Sequence, residues 1–180
     1  EESIYRLTDN TLLEKKTIVK WIAHYGYSDA ISYVYPALND YLRKYVFDSP
    51  VLADEMTKYF DLYKQQKVSN HISTEFISLV EANARRLSYA QLPTRDNAIK
   101  AVSDKDSAYL YWIDALGVEY LSFISALAKK KGLSIRTQVT RSDLPTITSI
   151  NKQFFDQWNG GKKYKEEQLD NIKHKDKGGY

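Results

Sequence analysis

The stretch that decides the fold class runs from residue 108 to residue 117 and reads Ala-Tyr-Leu-Tyr-Trp-Ile-Asp-Ala-Leu-Gly. Its first six residues are an apolar and aromatic run, which is typical of a strand buried on both faces of a parallel sheet. The segment from Val118 to Lys131 then has apolar residues at helical spacing, and Gly132 ends it. Apolar and polar residues alternate from Leu133 to Val139, which predicts a second strand. The order strand, helix, strand predicts one right-handed crossover unit, the start of an α/β domain.

The residues before this stretch are predicted to form helices. Thr11 and Glu14 have the spacing of a capping box at the start of the first helix, and Gly26 ends that helix. A second helix is predicted from residue 28 or 29 to about residue 47. Pro36 should kink this helix, because its ring removes one N–H donor and clashes with the preceding turn.

Two more helices complete the predicted helical region. Ser49 and Pro50 fit the N-cap and the first position of the third helix, whose apolar stripe extends from Leu52 to Tyr63. The fourth helix is predicted at about residues 70–89. Its expected buried side chains are Ile72, Phe76, Leu79, Val80 and Leu87.

A turn-rich and polar segment, residues 91–107, separates the helices from the apolar run. We therefore predict a helical region at residues 1–105 and the start of an α/β domain with a parallel sheet at residues 106–180. The fold class is a mainly α-helical bundle followed by the start of that domain. Beyond the second strand, one helix should present Ile150, Phe154 and Trp158 on one face, and an amphipathic segment should follow at residues 164–173.

The composition excludes several classes of protein. Zero Cys excludes disulfide scaffolds, Cys-ligated zinc and thiol catalysis. No apolar run reaches the length of a membrane span, and we expect a cytoplasmic protein. The net charge of +3 does not demand nucleic acid as a partner. The 15 Tyr could stack on the bases of single-stranded nucleic acid. Their helical spacing beside Leu and Ile instead favours the core of a helix bundle, with Tyr at its solvent-exposed edges.

Asp114 is the first candidate functional residue. It follows the first predicted strand, at the sheet edge where α/β proteins bind ligands, and a carboxylate there suits a metal ion. The alternative is that Asp114 caps the next helix by accepting a hydrogen bond from a backbone N–H. Its position leaves both interpretations open.

Thr146 and Thr148 are the next candidates, because they lie just before a predicted helix. A hydroxyl there lies near unpaired N–H groups, which hold phosphate and ease alkoxide formation, although most Thr at helix starts only cap. Adjacent parallel strands end side by side, so Asp114 and the 145–149 loop are expected on one rim of the sheet. A carboxylate ligand beside a hydroxyl nucleophile is the beginning of a metal-assisted phosphoryl-transfer site.

Three segments together resemble a known family. They read Asp-Ala-Leu-Gly-Val-Glu-Tyr-Leu at residues 114–121, Leu-Pro-Thr-Ile-Thr-Ser-Ile-Asn-Lys at 144–152 and Leu-Asp-Asn-Ile-Lys-His at 169–174. This pattern looks like the opening of the PglZ domain, which belongs to bacterial phage-exclusion (BREX) and phage-growth-limitation systems and to the alkaline phosphatase superfamily. The resemblance extends over residues 106–175, and before them it is limited to a helical region ahead of the catalytic domain.

The resemblance implies that residues 106–180 are a truncated PglZ domain, an α/β domain of the alkaline phosphatase type. It further implies a metal-dependent phosphohydrolase or phosphodiesterase of antiphage defence, with a phosphoester as substrate. It makes Asp114 a metal ligand and Thr148 both the nucleophile and a metal contact, with Thr146 as the second choice for the nucleophile. The implied cofactor is a divalent ion, zinc, held by the full-length parent. Such domains have further Asp and His ligands downstream of any residue in this chain.

These implications set our expectations for the chain as a molecule. It begins at Glu1 without Met and ends before the missing ligands, so we expect an inactive piece of a longer protein. The alternative function is a helical module that docks the phosphatase to other proteins of the defence complex. A two-stranded sheet with an unpaired edge further predicts either self-association into a homo-oligomer or a sheet covered by the tail, which is residues 162–180.

Overall fold

The computed structural model describes residues 4–113 and 115–165. Most of the regular structure is helical, and a small parallel sheet accompanies it, as the sequence predicted. The helices are α1 (Leu12–Tyr25), α2 (Ile31–Val34), α3 (Pro36–Leu42), α4 (Ala53–Ser69), α5 (Thr74–Arg86), α6 (Arg95–Lys100), α7 (Leu121–Lys130), α8 (Thr148–Asn151) and α9 (Gln153–Asp156). The strands are β1 (Leu110–Trp112) and β2 (Lys163–Lys165). None of these helices has the length and hydropathy needed to cross a bilayer.

The chain forms two compact units that alternate along the sequence. The helical unit comprises Glu1–Ser88 and Gly117–Thr137. The sheet unit comprises Tyr89–Leu116 and Gln138–Tyr180. The domain boundary between residues 105 and 106 stays a prediction.

The predicted capping box at the start of α1 is confirmed. The Thr11 hydroxyl oxygen accepts from the Glu14 N–H at 3.2 Å, and the Glu14 carboxylate accepts from the Thr11 N–H at 3.2 Å. Hydrogen bonds from Thr11 and Thr8 lower the pKa of Glu14. Gly26 follows the last turn with φ of +86°, a conformation that favours glycine, and so ends the helix where predicted.

The predicted kinked helix at residues 28–47 is wrong. It is broken at Tyr35 into α2 and α3, and it ends at Leu42. Pro36 occupies the first position of α3, where its missing N–H costs nothing, and the proline ring excludes the helical conformation from the residue before it. Proline therefore starts a new helix here instead of bending an existing one.

The predicted starts of the third and fourth helices also need correction. α4 begins at Ala53 after Leu52, which has φ of 60°, while the Ser49 hydroxyl donates to the Val51 carbonyl and caps no helix. α5 begins at Thr74, because the Ser73 hydroxyl accepts from the Phe76 N–H at 3.2 Å. Of the side chains expected to be buried by the fourth helix, Phe76 is buried and Leu79 is half-buried. The other three, Ile72, Val80 and Leu87, are exposed.

The helical unit has an aliphatic core with a buried lysine beside it. The core consists of Ile4, Ile18, Ile22, Ala30, Ile31, Val34 and Leu42, with Tyr35 and Tyr41 packed at its edge. Lys64 is 1% exposed, and its ammonium donates to the Arg43 carbonyl and to the Ser122 hydroxyl. Ser122 in turn donates to the Tyr41 carbonyl at 2.8 Å. Burial lowers the pKa of Lys64, and these contacts join α7 to α3 and α4.

The sheet unit contains β1, as predicted, but its partner strand is a different one. β1 pairs in parallel with β2, with Tyr111 opposite Tyr164. The predicted strand at residues 133–139 is wrong, because these residues pair with no strand in the described part of the chain. Leu133 is 66% exposed and Ile135 is 45% exposed, so no surface covers the first half of the alternating pattern. Tyr109, Tyr111 and Ile113 are also about half exposed, so β1 is not buried on both faces.

The tail pairs with one edge of β1 through β2. The predicted covering by the tail concerned a sheet of β1 and residues 133–139, and that sheet does not form. Residues 163–165 are a strand in place of the beginning of the predicted amphipathic segment, and residues 166–173 of that segment lie outside the described residues. The backbone at Gly161, just before β2, lies against the backbone at Ala108, just before β1. A Cβ atom there would lie 2.3 Å from the Ala108 carbonyl oxygen, so only glycine fits. Self-association stays a prediction.

Candidate functional site

The two candidate hydroxyls lie together on a surface segment of the sheet unit. Thr148 is the first residue of α8, and Thr146 lies in the preceding loop; both are exposed. The predicted helix carrying Ile150, Phe154 and Trp158 is instead the two short helices α8 and α9. Phe155 and Trp158 are buried, and Trp112 of β1 packs against both Phe154 and Phe155, with ring centroids at 5.1 and 5.4 Å. These rings anchor α9, and thereby α8, on β1.

Asn151, the last residue of α8, fixes the loop that carries the hydroxyls. Its amide nitrogen donates to the carbonyls of Asp143, Pro145 and Ile147, at 3.0, 3.3 and 3.1 Å. Its amide oxygen accepts from the Asp143 N–H at 2.9 Å. One side chain thus holds the backbone on both sides of Thr146 and immediately before Thr148.

Arg95, the first residue of α6, holds Asn151 in turn. Its Nη2 donates to the Asn151 amide oxygen at 2.6 Å and to the Ser142 hydroxyl at 3.0 Å, and its Nη1 donates to the Asn151 carbonyl at 3.3 Å. The guanidinium lies 4.7 Å from the centre of the Phe154 ring, a cation–π contact. We call Arg95, Ser142, Asn151 and Phe154 the loop clasp.

A second connection joins the same two segments of chain. The Arg141 N–H donates to the Pro93 carbonyl at 2.9 Å, and its guanidinium donates to the Ala90 carbonyl at 2.9 Å. Thr94 and Arg141 form an isolated parallel bridge. Residues 90–95 are therefore attached along the segment that leads into the candidate loop.

A small polar cavity of about 110 Å³ lies beside the loop clasp. Its lining residues include Thr94, Arg95, Asp96, Arg141, Asp143 and Asn151. The lining contains two guanidinium groups and two carboxylates, whose charges balance, so the cavity favours neither anions nor cations. The Arg141 Nε is buried and has no hydrogen-bond partner within residues 4–113 and 115–165.

The remaining predicted site residue, Asp114, lies outside the described residues. The expectation that it shares a rim with the threonine loop depended on a second strand at residues 133–139, and that strand does not form. The described residues also contain no group of three or more His, Asp or Glu that fits a metal ion, so we derive no metal-bound step from them. The roles of Asp114 and Thr148, and the zinc of the parent, stay predictions.

Glu119, which belongs to the first resembling segment, has a structural role in the helical unit. Its carboxylate accepts from the Lys67 ammonium at 3.1 Å, and its side chain is 11% exposed. This hydrogen bond raises the pKa of Lys67. The carboxylate lies against Gly117, where a Cβ atom would collide with it. Glu119 thus ties the turn before α7 to α4.

Sequence reasoning missed both Arg95 and Asn151. Asn151 could have been suspected, because an amide four residues after Ile147 can reach back over a loop that contains Pro145. Arg95 had no local signal, since it lies 56 residues from the side chain that it holds. Comparisons with protein-family models, with curated proteins and with solved structures find no match to this chain.

Proposed function

We propose that this chain is a piece of a metal-dependent phosphohydrolase or phosphodiesterase of bacterial antiphage defence, of the PglZ type, and that it supplies the loop with the nucleophile Thr148. The observation that carries the proposal is the loop itself. Its two threonines are exposed, while Asn151 and Arg95 fix the backbone on either side of them. The resemblance of residues 144–152 to the family's nucleophile loop supports the assignment.

The geometry suits a nucleophile because attack on phosphorus needs both access and a fixed position. Exposure gives the Thr148 hydroxyl access to a phosphoester, and the fixed backbone reduces the orientational freedom lost on reaching the transition state. The Thr148 oxygen would bond to phosphorus while the ester oxygen leaves, and water would later release the phosphate. A divalent ion bound by the complete domain would ease deprotonation of the hydroxyl and stabilise negative charge.

The test uses the longer protein that contains this chain, assayed with aryl phosphate monoesters and diesters in the presence of zinc. We expect hydrolysis that is lost in Thr148→Ala and in Asp114→Ala. Thr146→Ala, two residues away on the same loop, is the matched control and should retain activity. Activity that survives Thr148→Ala but is lost in Thr146→Ala would transfer the nucleophile to Thr146, and survival in both would overturn the assignment to this loop.

The 180-residue chain itself should not hydrolyse these substrates. Catalysis of phosphoryl transfer by metal ions needs each ion fixed by about three protein ligands, and the described residues contain no such group. The same aryl phosphate assay checks this, with the longer protein as the positive control. Turnover by the short chain that disappears in Thr148→Ala would contradict it.

A second candidate function is that the helical unit docks the phosphatase to other proteins of the defence complex. The observation in its favour is the exposed apolar side chains at α5. Ile77 and Val80 lie one turn apart and are 47% and 38% exposed, and Ile72 just before the helix is 65% exposed. Exposed apolar residues that cluster on one element are typical of interaction sites.

Titration calorimetry with separately purified proteins of the defence complex tests the docking function. We expect one of them to bind the chain, and the double variant Ile77→Ser with Val80→Ser to weaken that binding at least tenfold. Leu133→Ser, an exposed apolar residue outside α5, is the matched control. If no purified protein binds, or if all variants bind equally, α5 is not the docking site.

A further inference from the structure

We propose that Arg95 is a positioning residue for the Thr148 hydroxyl, acting through Asn151. The inference rests on the proposed function, since it concerns the same nucleophile loop. It adds that a residue of the region preceding the predicted catalytic domain belongs to the catalytic machinery. Arg95 lies ahead of the predicted boundary at residues 105 and 106, yet the groups that it binds lie at residues 142–154.

The partners of Asn151 fix the orientation of its side chain. An amide side chain can rotate or exchange the places of its oxygen and nitrogen unless its partners specify them. Here two donors, the Arg95 Nη2 and the Asp143 N–H, both point at the oxygen. The nitrogen is thereby directed toward the three loop carbonyls, all of which are acceptors. Without Arg95, a single neutral N–H would hold the oxygen in place.

Among the basic side chains, only arginine can make all the contacts of the clasp at once. One planar guanidinium binds the Ser142 hydroxyl and two oxygens of Asn151, while its face lies on the Phe154 ring. A lysine ammonium carries the same charge, but it is a compact point charge without the flat fork that reaches these groups together. Arg95→Lys therefore removes the geometry of the clasp and keeps its charge.

The clasp holds the backbone directly before the Thr148 hydroxyl. The Ile147 carbonyl, which Asn151 holds, belongs to the residue directly before Thr148. A backbone free to shift there would move the hydroxyl away from the line of attack, and a displacement of about 1 Å can cost about 100-fold in rate. Because Arg95 is not proposed to touch the substrate, its loss should lower kcat and leave KM nearly unchanged.

The experiment compares kinetics of the longer protein with hydrogen exchange of the 180-residue chain. We expect Arg95→Lys to lower kcat about 100-fold, with KM changed less than twofold, and to accelerate amide exchange at residues 143–149. Lys100→Ala, an exposed residue of the same α6 helix, is the matched control and should change neither quantity. Arg95→Ala should behave as Arg95→Lys does, and Arg95→Lys alone is used if the alanine variant does not fold.

The outcomes separate the inference from the proposed function. An active parent whose kcat is unchanged by Arg95→Lys overturns the positioning role and leaves Thr148 as the nucleophile. A change in KM alone, or equal losses in Arg95→Lys and Lys100→Ala, also overturns it. If the wild-type parent has no phosphoesterase activity, the proposed function fails, and with it the positioning role, whatever the exchange data show about the clasp.

Discussion

At the scale of single residues, the sheet unit depends strongly on one amide. Asn151 contacts three carbonyls, one N–H and one guanidinium. No other side chain of similar size has both an NH2 group that donates twice and a carbonyl oxygen that accepts. The consequence is that stability and positioning of the threonine loop both rest on this position.

We expect Asn151→Ala to lower the free energy of unfolding by about 1–3 kcal/mol, because three loop carbonyls, the Asp143 N–H and the Arg95 Nη2 each lose a hydrogen bond. Denaturant titration measures this change. Asn159→Ala, at an exposed position of the same unit, is the control and should change stability little. Equal stability of the two variants would show that water replaces Asn151 without cost.

Lys64 leads to a prediction about pH. Burial lowers the pKa of its ammonium below the ordinary 10.5, so the unfolded chain binds this proton more tightly than the folded chain does. The free energy of unfolding therefore gains a contribution as the pH rises from the lowered pKa toward 10.5. We expect wild type to gain stability relative to Lys64→Met between neutral pH and about pH 10.

Denaturant titrations at several pH values check this prediction, and only the difference between wild type and variant is interpreted. Other groups also titrate in this range. Burial raises the pKa of Tyr41 from 10.0 to about 12, for example, so the unfolded chain begins to release this proton near pH 10 and the folded chain does not; but Tyr41 is present in both proteins. Lys58→Met, an exposed position of the same α4 helix, is the control. Parallel pH profiles for wild type and Lys64→Met would contradict the assignment.

At the scale of elements, local capping chemistry decides where helices begin when a cap is present. α1 and α5 both start after a hydroxyl that accepts from the N–H three residues on. α3 starts at a proline, and α4 starts after a residue in the left-handed conformation with no side-chain cap. The start of α1 was predicted correctly for this reason. The start of α5 was predicted too early, at Asn70, although Ser73 carries the capping signal.

The cap of α5 can be tested directly. Ser73→Ala should lower the free energy of unfolding by about 1 kcal/mol, because the Phe76 N–H loses its acceptor. Ser78→Ala, in the exposed interior of the same helix, should have no cost, since alanine favours helix more than serine does. Thermal unfolding of both variants gives the comparison. A Ser73→Ala protein as stable as Ser78→Ala would show that Ser73 is not the effective cap.

At the scale of the whole molecule, the sheet joins segments that are far apart in the chain. Leu110 pairs with Lys163, so β1 obtains its partner from the tail. A chain that ends at Gly161 would lack β2, and the edge of β1 that β2 covers would be open for pairing with another molecule. We expect this shortened chain to associate more strongly with itself than the 180-residue chain does, in a concentration-dependent way.

Sedimentation velocity over a wide concentration range, with the two chains run side by side, measures this association. Hydrogen exchange at Leu110–Trp112 gives a second reading, because these amides should lose protection when β2 is absent. A shortened chain that stays monomeric and retains protection in β1 would show that β2 does not cover a reactive edge.

The sequence by itself determined the features whose cause is local. The capping box and Gly26 define α1, the apolar run predicts β1, and helical spacing predicts α7, because each signal lies within the element that it specifies. It also singled out the threonine loop as a candidate site, through its position before a predicted helix and its resemblance to the nucleophile loop of the PglZ domain. The tertiary structure decided the rest. β1 pairs with the tail and not with residues 133–139, five α-helices lie within residues 4–89 where four helices were expected, and Arg95 holds Asn151 across 56 residues. Pairing and burial depend on which surfaces the folded chain brings together, and a local pattern does not contain that information.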